Sequence, residues 1–249
     1  MSQTRPVSLI TGAGTGVGRA CAVAFAMRGF DVVINYSRSE AEAQETATRV
    51  RELGATAMLH PCDVADESGV KQMLSATQEQ FGRLDVLVNN AAMTYFIPGQ
   101  DLEDLTEDKW DRMLAVNLKG PFFCIKAAVD LLRQSPQAAV VNVSSVAGLN
   151  GRGSSIGYAA SKGALNTLTK SMAQVLAPQV RVNAVLPGPI DSRWIRESAS
   201  GWDLDEMTAK FPLPRASQPS DIAAAVVYLA LDTNMTTGQL LTVDGGGTL

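Results

Sequence analysis

The chain has 249 residues, 46% hydrophobic and 18% charged, which supplies a substantial core and argues against disorder. Its net charge is −4 with no basic run, and no apolar stretch nears the ~20 residues of a membrane helix, so neither nucleic acid nor a membrane is expected as a partner. Cys21, Cys62 and Cys124 stand apart, without disulfide or metal-ligand spacing, the first six residues are short and polar, and a cytoplasmic protein without a metal site is expected.

Val7–Ile10 predicts a short buried strand. A glycine-rich turn follows, and then a helical pattern from Arg19 to Arg28. Strand, turn and helix in that order make an anion site, because glycines admit close approach and a helix N-terminus presents free N–H groups. Gly12, Gly14, Thr15, Gly16, Val17 and Gly18 are therefore candidates for holding a pyrophosphate. The spacing is Gly-x-x-x-Gly-x-Gly, which differs from the general dinucleotide fingerprint, and the lack of a Gly-Lys-Ser/Thr ending excludes a P-loop.

Asp31–Asn35 predicts the second strand. In a dinucleotide fold its end meets the adenosine ribose, where a carboxylate would hold the 2′-hydroxyl of NAD. Here Tyr36, Ser37 and Arg38 come first and no acid appears until Glu40. Arg38 and Ser37 suit a 2′-phosphate, so NADP(H) is favoured over NAD(H). A helix over 40–53 and a strand over 56–59 precede Cys62-Asp63-Val64. His60, the single histidine, reads as structural. Asp63 is a candidate acceptor for an adenine amino group or a cap for the next helix, 67–81. The fourth strand, 84–88, runs into Asn89, Asn90, Ala91 and Ala92. Small residues there let the backbone pass close to a ligand, and the asparagine amides can tie neighbouring loops. The repeated strand–helix alternation predicts an α/β doubly wound parallel sheet, as one domain over 1–249.

A long helix is expected from Thr106, passing Asn117 and meeting Pro121. Proline cannot bond the carbonyl four residues back, so this helix either ends here or kinks and frees the Asn117 carbonyl, which would hold an ordered water. Strand 139–143 ends in Ser144-Ser145, and Tyr158 opens a helix running to Leu176. Tyr158 and Lys162 are four apart and share a helix face. At about 4 Å and an effective dielectric near 20, an ammonium would stabilise the phenolate by roughly 4 kcal/mol. That would bring a phenol from about 10 towards neutrality, where acid–base work is efficient. Strand 180–186 leads to Pro187, Gly188, Pro189, Ile190 and Ser192. The irregular 189–214 stretch is a candidate substrate lid. A last helix, 220–231, and strand, 240–243, close the chain.

The Thr11–Gly18 turn, Cys62-Asp63-Val64, Asn89–Ala92, Asn117, Val143-Ser144-Ser145, Tyr158-Ala-Ala-Ser-Lys162 and Pro187-Gly188 occur in one order over nearly the whole chain. In this the chain resembles the short-chain dehydrogenases/reductases of compact, single-domain type. The resemblance implies a Rossmann-type, seven-stranded parallel sheet in three α/β/α layers, and a catalytic set of Asn117, Ser145, Tyr158 and Lys162. The family's spacing to the tyrosine selects Ser145 over Ser144. It implies a nicotinamide cofactor held in part by Tyr158, Lys162, Pro187, Gly188, Ile190 and Ser192, with Ser192 where threonine is common and Ala92 where glycine is usual. A small carbonyl or alcohol substrate and a homotetramer (or homodimer) follow from the same resemblance, and the generic comparison is 3-oxoacyl-[acyl-carrier-protein] reductase. A sugar or polyol dehydrogenase of the family and a non-catalytic cofactor sensor on the same fold are the alternatives. A related epimerase fits less well, because the glycine spacing differs and the chain has no larger C-terminal substrate region.

Overall fold

A computed structural model describes residues 5–196 and 201–249. Seven parallel strands form one sheet in the order β3-β2-β1-β4-β5-β6-β7: β1 Val7–Ile10, β2 Asp31–Tyr36, β3 Ala57–Pro61, β4 Val86–Asn89, β5 Ala138–Val143, β6 Val180–Pro187 and β7 Leu240–Val243. The first six strands are near-continuous apolar runs, as expected of strands covered on both faces. One face carries α1 (Gly16–Met27), α2 (Glu40–Glu52) and α10 (Pro219–Leu231), packed through Phe25, Val50 and Val226. The other carries α3 (Glu67–Phe81), α5 (Gly120–Leu132) and α7 (Ile156–Leu176), packed through Met73, Ile125 and Leu176. The expected fold class is the observed one.

Strand order reverses between β1 and β4, and a crevice opens there at the strands' C-terminal ends. Side chains lock this switch point. The Asn90 N–H and Ala91 N–H both donate to Thr11 Oγ1, at 2.9 and 3.0 Å. Asn90 Nδ2 donates to the carbonyls of Thr11 and Gly12. Asn35 accepts from Gly12 N–H and Ala13 N–H on the other side. The asparagine amides thus tie the loops together as their positions suggested.

The helix does not stop at Asn117. α4 (Glu107–Leu114) runs through a π-helical turn, Ala115–Lys119, into α5, whose first turn holds Pro121. The wider turn accommodates the missing N–H of proline. Two short helices, α8 (Arg193–Arg196) and α9 (Leu204–Thr208), interrupt the irregular stretch after β6, and α6 (Ala147–Asn150) follows β5. No helix among the described residues is long and apolar enough to cross a membrane.

Candidate active site

The crevice is one cavity of about 1020 Å³ that runs from the glycine turn to the lid. At one end Gly12, Thr15, Gly16 and Val17 line it. Gly16 has φ +53°, and a Cβ there would meet nothing within 4 Å, so its backbone faces open space. Thr15 leaves the first N–H groups of α1 without a side-chain cap. A turn that only glycine adopts, open space above it and uncapped helix donors fit a pyrophosphate. Gly14 and Gly18, by contrast, do not line the cavity. A Cβ on Gly14 would lie 2.7 Å from Ser39 Oγ, and one on Gly18 would lie 2.6 Å from Asn90 Nδ2 and strike the Gly12 carbonyl. Their part is to let the turn pack. Arg19 was not singled out by its position, yet it holds the turn: its guanidinium donates to the carbonyls of Gly14 and Glu42.

Tyr36, Ser37 and Arg38 line the next part of the wall, with Cys62, Asp63 and Val64 opposite. Arg38 is exposed and lies near enough to Asp63 to lower its pKa. Asp63 does not cap the next helix; Asp66 does, accepting from Ser68 N–H. The Asp63 carboxylate instead accepts from Ala65 N–H at 3.0 Å and pairs with Arg112 at 2.5 Å. Burial raises its pKa, but these two donors outweigh burial and leave it below the ordinary carboxylate range. Arg112 sits 49 residues away on α4, a pairing that no sequence signal announces.

At the far end, Ser145 follows β5 while Tyr158 and Lys162 project from α7 into the same cavity, which Asn90, Ala91, Ala92, Pro187, Gly188, Ile190 and Ser192 also line. Tyr158 and Ser145 share this cavity, and the Ser145 hydroxyl acts to lower the Tyr158 pKa. Ser144 is buried and spent on structure, donating to Asn166 Oδ1 at 2.6 Å and to the Lys162 carbonyl. Ser145 Oγ accepts from Ala147 N–H, at 3.1 Å, which leaves its O–H available to the cavity. Lys162 is buried, donates to the Val143 carbonyl at 2.9 Å, and holds its Nζ 5.7 Å from the Tyr158 ring centroid. Asn117 does not reach the cavity. Its amide exchanges hydrogen bonds with the Met93 backbone and donates to Ser161 Oγ at 3.0 Å, and Ser161 donates to the Tyr158 carbonyl. It therefore fixes the helix turn that carries Tyr158.

The Tyr158–Lys162 electrostatics depart from the sequence reading. Burial pushes the phenol up to about 12, opposed by the Ser145 hydrogen bond, and burial pulls the Lys162 ammonium down to about 7. The Coulomb argument took the lysine as fully charged; a buried ammonium sheds its proton more readily and its pull weakens.

The lid adds residues with no motif. Trp194 meets Tyr158 edge-on at 6.0 Å, and Trp202 meets Phe96 edge-on at 5.4 Å. Arg193 bridges to Glu42 of α2 at 2.6 Å. Tyr95 and Phe96 after β4, and Asn150 and Arg152 after Ser145, also line the cavity. Of the 189–214 lid, residues 197–200 lie outside the described residues.

Comparison with known proteins decides the family. The family model described as enoyl-(acyl carrier protein) reductase matches residues 12–248. The chain belongs to the short-chain dehydrogenases/reductases. It is 37% identical over 241 residues to 3-oxoacyl-[acyl-carrier-protein] reductase FabG of Staphylococcus aureus, covering 96% of each chain. It is 40% identical over 245 residues to a Streptomyces violaceoruber protein assigned as ketoacyl reductase 2 of the granaticin polyketide synthase, covering 98% of this chain and 96% of that one. A crystal structure from Burkholderia xenovorans, assigned to the same family, superposes with a TM-score of 0.92 at 37% identity over 100% of this chain and 99% of that one. The chain is an oxidoreductase of this family.

Proposed function

We propose that this protein is an NADP(H)-dependent ketone reductase of the 3-oxoacyl type, with Tyr158 as its proton donor. The observation that carries the reading is that Ser145, Tyr158 and Lys162 line the same cavity as the open Gly16 turn, with Lys162 Nζ 5.7 Å from the Tyr158 ring centroid. The relatives named for ketoacyl and 3-oxoacyl reduction support the substrate type.

NADPH supplies a hydride from its nicotinamide. The chain's own groups do the rest. Tyr158 gives its proton to the carbonyl oxygen as negative charge develops there. Ser145 hydrogen-bonds the same oxygen and orients it. A charged Lys162 in the turnover complex opposes the burial of the phenol and draws its pKa back down. By family resemblance it would also hold the nicotinamide ribose. Asn117 acts through Ser161 as a positioning residue. Gly12, Thr15, Gly16 and Val17 would hold the pyrophosphate. Ser37 and Arg38 would take the 2′-phosphate, and Asp63 and Val64 would bind at the adenine. Pro187, Gly188, Ile190 and Ser192 would hold the nicotinamide. In oxidation the same groups run in reverse.

Tyr158→Phe is the test. General acid catalysis contributes about 10²- to 10⁴-fold, so the variant should bind NADPH as tightly as the parent and lose at least about a hundredfold in kcat on a 3-oxoacyl thioester. Near-normal turnover would remove Tyr158 from the chemistry. We also infer a homotetramer, supported by the exposed apolar Phe122 on α5, Val175 on α7 and Tyr228 on α10; light scattering on a sizing column reads it directly.

A further inference from the structure

The end of the chain is wound against the lid more tightly than any residue except glycine allows. β7 is followed by Asp244, whose carboxylate accepts from Gly246 N–H at 2.9 Å and from the Thr248 hydroxyl at 2.7 Å. The turn so formed meets the lid segment after α9: Leu213 N–H donates to the Gly245 carbonyl at 2.9 Å. A Cβ on Gly246 would lie 2.7 Å from Pro212 Cγ. One on Gly247 would lie 2.5 Å from both Cε2 and Cζ of Phe211 and 2.9 Å from Cε1. Its three nearest neighbours are thus all atoms of one aromatic ring. Gly245 and Gly246 have positive φ, but Gly247 does not. The constraint at Gly247 is therefore steric, and its nearest obstacle is Phe211.

Phe211, Gly247 and Thr248 line the same cavity as Ser145 and Tyr158. The ring is half-buried, belongs to no motif, and comes 36 residues before the glycine it rests on. Real Cβ atoms do not approach a neighbour this closely, so any side chain at 247 has to move the ring. A protein interior transmits such a shift rather than absorbing it.

We propose that the Gly245–Gly247 turn is a stop that sets the position of Phe211, and that Phe211, held there, limits the size of the acyl chain the cavity takes. Gly247 is a positioning residue and Phe211 a size-selecting one. The inference rests on the reading of this cavity as the site of 3-oxoacyl reduction.

The experiment compares acetoacetyl and 3-oxodecanoyl thioesters of N-acetylcysteamine with NADPH in the parent, Gly247→Ala, Phe211→Ala and the double variant. A pocket contact of this kind discriminates by about tenfold or more, so Gly247→Ala should lower kcat/KM for the decanoyl substrate about ten times further than for the acetoacetyl one. Phe211→Ala should shift the ratio the opposite way, and the double variant should restore the decanoyl rate to at least the parent level. A loss in Gly247→Ala that is equal for the two substrates, or a ratio unchanged in Phe211→Ala, overturns the proposal. Should Gly247→Ala fail to fold, the ratio in Phe211→Ala decides alone. A parent enzyme that reduces neither thioester refutes the functional reading. The size claim is then read from quenching of Trp194 and Trp202, which line the cavity: stronger binding of the decanoyl thioester on Phe211→Ala sustains it, and unchanged binding refutes it.

Discussion

The two ends of the cavity are built differently. The nucleotide end rests on regular elements, β1, α1, β2 and β4, and on backbone contacts between them. Its shape is fixed by what cannot be added, as at Gly14 and Gly18, and by asparagines that bond backbone on both sides. The carbonyl end rests on connections: residues 93–96 after β4, 150–154 after β5 and the stretch after β6. Aromatic side chains, several of them half-exposed, do the shaping there. A rigid frame thus presents the common part of the chemistry, and loops on that frame choose what reacts. The contrast implies that an added side chain disrupts cofactor binding at one end and changes selectivity at the other.

The largest expected effect tests the rigid end. Gly18→Val sets a branched side chain against the Gly12 carbonyl and the Asn90 amide. Backbone cannot swing aside as a side chain can, so the turn itself must open. Overpacking of this kind costs about 1–3 kcal/mol or more, and we expect NADPH affinity to fall by about a hundredfold, with a lowered melting temperature, by fluorescence titration and thermal melts. Near-parent affinity would mean that the nucleotide end is as plastic as the lid. A smaller change sharpens the contrast. Arg38 is exposed on the cavity wall, and hydrogen bonds to charged groups are worth about 1.5–3 kcal/mol. Arg38→Ala should therefore weaken NADPH by about tenfold or more while leaving NADH within about twofold. Should the parent bind NADH at least as tightly as NADPH, the 2′-phosphate role fails outright.

The same division explains what could be read from the sequence. Every strand, the glycine turn and the Tyr158 helix are local features, carried by periodicity and by residues a few positions apart. They were legible, and so was the order of motifs that marks the family. What escaped were pairings over long separations: Arg112 with Asp63, Arg193 with Glu42, and Phe211 with Gly247. None has a period or a spacing, because each exists only once the sheet has brought its elements together. The π-helical turn was half legible. Pro121 announced an interrupted hydrogen-bond ladder, but whether the helix would end, kink or widen depended on the packing around Asn117. The electrostatics of Tyr158 and Lys162 were misjudged for a related reason. Spacing gives distance along a helix face, and only the fold gives burial.

Lys162 stands where the two ends meet, and it supplies the smallest and most direct test. Burial holds its folded-state pKa at about 7, below the ordinary 10.5, while burial raises Tyr158 to about 12 from 10. Between about pH 7 and 10 the unfolded chain therefore carries a proton on Lys162 that the folded protein has released. Stability rises with pH wherever the unfolded state binds more protons, so the cofactor-free protein should gain stability from this residue as pH rises through that window. Above about pH 10 the sign turns, because the folded protein then keeps the Tyr158 proton that the unfolded chain loses. Lys162→Met keeps most of the side-chain volume and removes the titration. The melting-temperature difference, variant minus parent, should fall by several degrees as pH goes from 6 to 9, because each pH unit above the folded pKa adds about 1.4 kcal/mol to the parent, at about 2–4 °C per kcal/mol in a domain of this size. Adding saturating NADPH should flatten that trend if a charged Lys162 belongs to the loaded site. A difference independent of pH without cofactor would mean that Lys162 keeps its charge in the folded protein. The Coulomb argument drawn from spacing alone would then stand, and Tyr158 would be tuned without help from the cofactor.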